Sequence, residues 1–270
     1  MQYQHMIVDK RGAADWVTLN RPDNLNALTR DSLAELNHYF DSLLENYAVR
    51  VVVLRGAGRA FCAGLDIKAA NSGPRNNLPE PLMQSQRAFS GLVMRMRRCP
   101  QPVLGLIHGH AAGGGFSIAL GCDIRIAAEG TKMNCAFIKI GLSGCEMGAS
   151  YHLSRLVGTS VAAELLYTGR FIDAQRALRV GLVSDVVPAD QLEAAGAALV
   201  QDMLATAPLG LRLTKECFWA NVDGNDLASA IAMEDRNQVL TVANGDLAEG
   251  MRAFVEKRKP QYGITQYGIK

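Results

Sequence analysis

Val51-Val52-Val53-Leu54 is an unbroken apolar run. A strand with one wet face alternates polar and apolar residues, so this run reads as a strand covered on both sides. Helical pattern precedes it: Thr29 stands as an N-cap ahead of Leu33, Leu36, Phe40, Leu43 and Leu44 at helical spacing. A second round follows, with a helix around Gln84–Arg97 leading through Pro100 and Pro102 into Val103-Leu104-Gly105-Leu106-Ile107. A third has a short helix near Gly114–Leu120 and the strand Ile124-Arg125-Ile126-Ala127. Trp16–Leu19, closed by the turn Arg21-Pro22-Asp23-Asn24, opens the series. Parallel strands need long crossovers, and helices supply them, so the pattern predicts an α/β fold with helices packed outside.

From about Glu146 the pattern becomes mainly helical. Asp173 is an N-cap for Ala174–Val180, Gly181 ends that helix, and one more strand is expected at Val183–Val187. Ala207-Pro208 opens a helix, and Asp226–Val242 and Leu247–Lys257 complete the set. Residues 1–200 therefore read as a core and 201–270 as a helical appendage expected to contact a neighbouring subunit. The stretch 71–81, rich in Asn, Gly and Pro, is expected to be neither strand nor helix. It reads as a surface loop, with a flap over a binding site as the functional version.

Of the 270 residues 49% are hydrophobic and 20% charged, which rules out a largely disordered, collagenous or coiled-coil chain. Lys and Arg number 28 against 26 Asp and Glu, a net charge of +2, with no basic block. No nucleic acid or membrane partner is expected from that balance. The most apolar segment, Val103–Leu120, is interrupted by His108, His110 and five glycines. No signal-peptide order opens the sequence, and no N-x-[ST] sequon occurs. The six cysteines, at 62, 99, 122, 135, 145 and 217, form no C-x-x-C. They read as reduced, mostly buried thiols of a cytoplasmic protein, with no metal site.

Chemistry is expected at two glycine-rich turns. Ala60-Phe61-Cys62-Ala63-Gly64-Leu65-Asp66-Ile67-Lys68 follows the first apolar strand, and Gly109-His110-Ala111-Ala112-Gly113-Gly114-Gly115-Phe116 follows the second. Ligands of α/β sheets bind where chain leaves the strands. Small residues there let an oxygen approach backbone N–H groups, and the Gly114–Leu120 helix adds the positive end of its dipole. Two such amides aimed at one point would make an oxyanion hole. The plain alternative is that the glycines only allow close helix–strand packing. No G-K-[ST] follows and G-x-G-x-x-G is absent, so neither a P-loop nor a dinucleotide fingerprint is present.

These turns, in this order, resemble those of the crotonase superfamily, the enoyl-CoA hydratases and isomerases. The resemblance also takes in Leu19-Asn20-Arg21-Pro22, Leu25-Asn26-Ala27-Leu28, Gly121-Cys122-Asp123-Ile124-Arg125, Thr168-Gly169-Arg170 and Gly181-Leu182-Val183, nearly the whole chain. It implies a spiral of ββα turns with a helical C-terminal region, assembled as a homotrimer or a dimer of trimers. It implies an acyl-CoA thioester as substrate, with no cofactor beyond the coenzyme A that the substrate carries, and a place in fatty acid metabolism. The thioester oxygen would take hydrogen bonds from the N–H groups of Ala63 and Gly114, beside Gly113. Asn26, Ala27, Leu28, Asp66, Ile67 and Lys68 would lie along the coenzyme A moiety, Lys68 as a phosphate-side contact or simply as a solvated lysine.

Where the family's hydratases carry two glutamates, this chain has Ser117 and Phe137. Neither can move a proton as a carboxylate does. The substitute is Glu146, read as starting a helix and held in an apolar pocket whose burial would favour its protonated form. The alternative is a helix-start acid paired with its own backbone dipole. Ser117 could orient water, and Phe137 would wall the acyl pocket. Cys62 and Cys145 are expected to act as buried small hydrophobes. Water addition to a 2-enoyl-CoA is the leading reading, and double-bond isomerisation by Glu146 alone is its rival. An acyl-CoA-binding protein without catalysis and a thioester hydrolase using Ser117 with His108 or His110 are the other readings.

Overall fold

The computed structural model describes residues 3–71, 78–224 and 226–262. Strands β1 (Met6–Arg11) and β2 (Ala14–Leu19) form an antiparallel hairpin through a bend at Gly12. Helix α1 (Arg30–Ser42) follows, closed at its start by a reciprocal capping box in which Thr29 and Ser32 each bond the other's backbone amide. It buries Leu33, Leu36 and Phe40. Then come β3 (Val51–Gly56), α2 (Ile67–Asn71), the long α3 (Pro79–Arg98), β4 (Val103–Ile107), β5 (His110–Ala112), α4 (Gly114–Gly121), β6 (Ile124–Ala128) and β7 (Lys132–Asn134). A short 3₁₀ turn at Ala136–Ile140 leads to α5 (Ala149–Thr168), β8 (Ile172–Asp173), α6 (Ala174–Arg179) and β9 (Asp185–Val187). Helices α7 (Leu192–Leu204), α8 (Pro208–Val222), α9 (Leu227–Ala243) and α10 (Asp246–Val255) complete the described chain.

The larger sheet has the order β1-β2-β3-β4-β6-β9, parallel everywhere except the β1–β2 hairpin. Its register sets Trp16 beside Val53, Val53 beside Leu104 and Leu106 beside Ile126. The smaller sheet, β5-β7-β8, takes β5 and β7 from the segments just after the main-sheet strands β4 and β6, as a spiral of ββα turns requires, and adds β8 from the segment after α5. Backbone packing splits the chain into two units, one of residues 1–99 and 103–196, the other of 100–102 and 197–270. The first contains the sheets and a core of fully buried Trp16, Phe40, Phe61, Phe116, Leu54 and Leu104. Each such side chain contributes about 1.5–3 kcal/mol when withdrawn from water. The second holds α8, α9 and α10, and Lys215 of α8 bonds the Gln101 carbonyl at 2.8 Å.

Several expectations need correction. Residues 72–77, the centre of the expected loop and flap, lie outside the described residues, but Pro79–Pro81 form the first turn of α3. Leu78 caps this turn in extended conformation, and the first helical position is where proline costs no hydrogen bond. The expected strand at 183–187 is only Asp185–Val187, because Leu182 and Val183 turn into the core instead. The helix expected to begin at Glu146 begins at Ala149, since Met147 (φ 47°) and Gly148 (φ 80°) adopt left-handed backbone. Strand β1 escaped the sequence reading because its outer half is polar and exposed. The strands of the small sheet are two or three residues long, too short to show a period.

Candidate active site

The bend after β3 is built on Asn26, which is buried and sits at φ 56° beside Leu25 at φ 52°. Its side-chain NH₂ donates to the carbonyls of Ala57 and Ala60, both at 2.8 Å, and its Oδ1 accepts the Arg21 amide at 2.8 Å. The Arg21 guanidinium donates to the Ala27 carbonyl and to Asp66 Oδ2, the latter at 2.9 Å. Asp66 also caps α2 by accepting the Ala69 amide at 3.0 Å. That amide, with Arg21, holds the Asp66 carboxyl below the usual carboxylate range. The side chains of Asn26 and Asp66, expected along the coenzyme A moiety, are thus committed to the scaffold. Buried polar groups seek full pairing, and these two find it in each other's loops. Ala27 and Leu28 are buried beside them, while Ile67 and Lys68 on α2 are exposed.

The two glycine-rich turns are zipped together. Phe61 donates to the His108 carbonyl at 2.9 Å, Cys62 to that of His110 at 3.1 Å, and Ala112 to that of Cys62 at 3.0 Å. Gly115 passes so close that a β-carbon on it would sit 2.1 Å from the Cys62 carbonyl oxygen. On Gly64 (φ 88°) a β-carbon would sit 2.5 Å from the Ala112 carbonyl oxygen and 3.2 Å from the Gly114 nitrogen. Glycine is required at both positions because two backbones share the space of one.

This packing decides which amides face a ligand. The Ala63 N–H donates to the Leu25 carbonyl at 3.0 Å and is spent within the scaffold. Leu28 donates to the Gly64 carbonyl at 2.7 Å and Asp66 to the Leu28 carbonyl at 3.0 Å, so the Leu65 amide between them turns to the opposite side. Gly114 is the first residue of α4, and its N–H has no partner within the helix. Among the described residues neither the Leu65 nor the Gly114 amide has an acceptor. The expectation for Ala63 is therefore corrected to Leu65, while Gly114 keeps a free donor. No side-chain signal could have separated Ala63 from Leu65, since only the backbone path distinguishes them.

The surroundings of Gly114 are apolar. A β-carbon on it would lie 3.1 Å from Leu28 Cδ1 and 3.5 Å from Met147 Sδ, and one on Gly113 would lie 3.4 Å from the buried Phe137 ring. Ser117, one turn into α4, is fully buried, and its hydroxyl donates to the Glu146 carbonyl at 3.2 Å. It clamps the 144–148 turn to α4. His108 bonds the Gly58 carbonyl at 3.0 Å, and the exposed His110 ring packs edge-on to Phe171, so neither imidazole pairs with Ser117. The arrangement gives no base for a serine nucleophile.

Glu146 is half-buried rather than enclosed, and its Oε1 accepts a hydrogen bond from the Gln86 side-chain amide of α3. It lies before the start of α5, not on the helix, so the helix-dipole alternative loses its geometry as well. Cys62 is buried as expected, and burial pushes its thiol up to about 12, which leaves it inert. Cys145 is exposed, against expectation, because the turn carries it outward next to Glu146. Gln86 and Met147 both border this site and neither was singled out by sequence, since an isolated Gln on a polar helix turn and a Met in a loop carry no pattern.

A family model described as enoyl-CoA hydratase/isomerase matches residues 10–265. The chain is 36% identical over 250 residues to a Mycobacterium bovis protein named probable enoyl-CoA hydratase, covering 91% of this chain and 88% of that one. It is 33% identical over 246 residues to the 1,2-epoxyphenylacetyl-CoA isomerase of Escherichia coli, covering 91% and 93% respectively. A crystal structure of enoyl-CoA hydratase from Bacillus anthracis superposes with a TM-score of 0.90 at 34% identity, covering 96% of this chain and 99% of that one.

Proposed function

The chain belongs to the enoyl-CoA hydratase/isomerase family, and from that premise we propose that it adds water across the double bond of a 2-enoyl thioester of coenzyme A. The observation that carries the proposal is the pair of unpartnered amides, Leu65 and Gly114, brought side by side by the Gly64–Gly114 contact. Addition at the β-carbon drives electrons onto the thioester oxygen, and fixed donors stabilise that charge without reorganising. The dipole of α4 adds to them.

Glu146 supplies the proton chemistry. Its carboxylate takes a proton from water as the water oxygen bonds to the β-carbon and the π electrons move to the thioester oxygen. It then returns the proton to the α-carbon as the carbonyl re-forms, so one water is added and the carboxylate is restored. Ser117 holds the turn that carries Glu146, and Phe137, Met147 and Leu28 wall the acyl end. Ala27, Leu28, Ile67 and Lys68 line the path of the coenzyme A moiety. The reaction needs no cofactor beyond that moiety. We propose further that it works in the cytoplasm, in fatty acid metabolism, as a homotrimer or dimer of trimers.

A single carboxylate also suits isomerisation, in which the proton leaves one carbon and returns to another. The two are separated by incubating the protein with crotonyl-CoA and, separately, with a 3-enoyl-CoA. Hydration predicts loss of the conjugated absorbance and a 3-hydroxyacyl-CoA product from the first. Conversion of the 3-enoyl ester without any hydration of crotonyl-CoA would overturn the proposal in favour of isomerisation.

A further inference from the structure

We propose that Gln86 is a positioning residue for Glu146, holding the carboxylate in its working orientation; this rests on the reading of Glu146 as the proton carrier. The Gln86 side-chain NH₂ donates to Glu146 Oε1, bridging α3 to the turn ahead of α5. The other end of that turn is already fixed: the Glu146 carbonyl accepts the Ser117 hydroxyl at 3.2 Å and the Ala149 amide at 2.9 Å. The main chain of Glu146 is thus pinned, and the remaining freedom lies in its side-chain torsions. A neutral donor on one carboxylate oxygen removes that freedom and leaves the second oxygen for a water.

The register of α3 sets the donor. Gln86 and Val93 are seven residues apart and share one helix face. Val93 Cγ1 lies 3.3 Å from where a β-carbon on Gly121 would stand and 3.7 Å from one on Gly148, so this face of α3 is seated against α4 and the turn. The backbone of Gln86 is further held by α3 itself, and its carbonyl accepts the Ser90 hydroxyl at 3.3 Å. Among the described residues no basic side chain pairs with the Glu146 carboxylate: Arg97 and Arg155 both lie over the Tyr151 ring, and Arg97 donates to the Tyr151 hydroxyl. An amide orients the carboxylate without neutralising it, as a cation would.

The test uses the full-length protein and Gln86→Met, which keeps the length of the side chain and removes the donor. Crotonyl-CoA turnover is expected to fall about tenfold in kcat, the size of one hydrogen bond to a charged group, with KM within about twofold. In a Glu146→Gln background the same substitution should change the residual rate by less than about twofold, since the group it orients is gone. Equal losses in both backgrounds would show a structural role and overturn the inference. If the wild-type protein hydrates nothing, the functional reading fails, and a second measurement still decides the contact. In the ¹⁵N–¹H spectrum the Gln86 side-chain amide protons should shift when Glu146 is replaced by Ala; unchanged resonances would overturn the inference whatever the activity.

Discussion

At the scale of single residues the site separates side chains that build from those that act. Asn26, Asp66 and Ser117 all stand in the motifs, yet their polar atoms are spent on backbone groups and on Arg21. On the proposed mechanism Glu146 carries the proton, and Glu146→Gln should lower kcat for crotonyl-CoA by about 10²–10⁴-fold, the usual worth of a positioned acid or base. Steady-state kinetics check this, and a loss below tenfold would remove Glu146 from the chemistry. His152 makes a different prediction. Burial, with Arg97, Arg125 and Arg155 nearby, pushes its imidazole down to about 4. An unfolded-chain histidine takes its proton near 6.5, so between that pH and 4 the unfolded state binds a proton that the fold refuses. Stability present above pH 6.5 is therefore lost as pH falls to 4, by about 3 kcal/mol in all. Urea melts at pH 7 and pH 4.5 should show a smaller drop for His152→Gln than for the wild type. The motifs were legible in the sequence, but the proposed Leu65 donor was not: it is a backbone amide, which every residue type except proline carries.

At the scale of elements, the joint between the β3 bend and α4 leaves no room for a side chain. Gly115 is compressed against the Cys62 carbonyl, whereas a β-carbon on Gly130 (φ 77°) would meet nothing within 4 Å. Gly115→Ala should thus cost about 3 kcal/mol from overpacking, and Gly130→Ala only about 1 kcal/mol from its backbone conformation. Denaturant melts compare the two, and equal costs would contradict the packing described here. Sequence marked most elements well. The apolar run Val103–Ile107 is β4 to the residue, and Thr29 and Asp173 are the N-caps expected, their side chains accepting the amides of Ser32 and Arg176. It failed where structure depends on distant contacts: the start of α5 is delayed by left-handed Met147 and Gly148, and the small sheet is held by partners far along the chain.

At the scale of the whole molecule, membership of the enoyl-CoA hydratase/isomerase family was legible because its motifs lie at fixed strand ends, which the fold must preserve to align two backbones. The proton-transfer arrangement was less so. Ser117 and Phe137 could be read as non-acidic, but the way Glu146 is held depends on α3, α4 and the turn before α5 meeting in space. The proposed assembly predicts a light-scattering mass in solution of three or six times that of the chain. A mass equal to one chain would contradict it.

The central claim is that the amides of Leu65 and Gly114 together grip the oxygen of a thioester. Its most direct test is a ¹⁵N–¹H titration of the protein with butyryl-CoA, a saturated thioester with no double bond to hydrate. The account predicts that the Leu65 and Gly114 amide protons move downfield together as the ester binds, while that of Ala63, already bonded to Leu25, holds its place. Binding that leaves both amides unmoved, or that shifts Ala63 in place of Leu65, would contradict it.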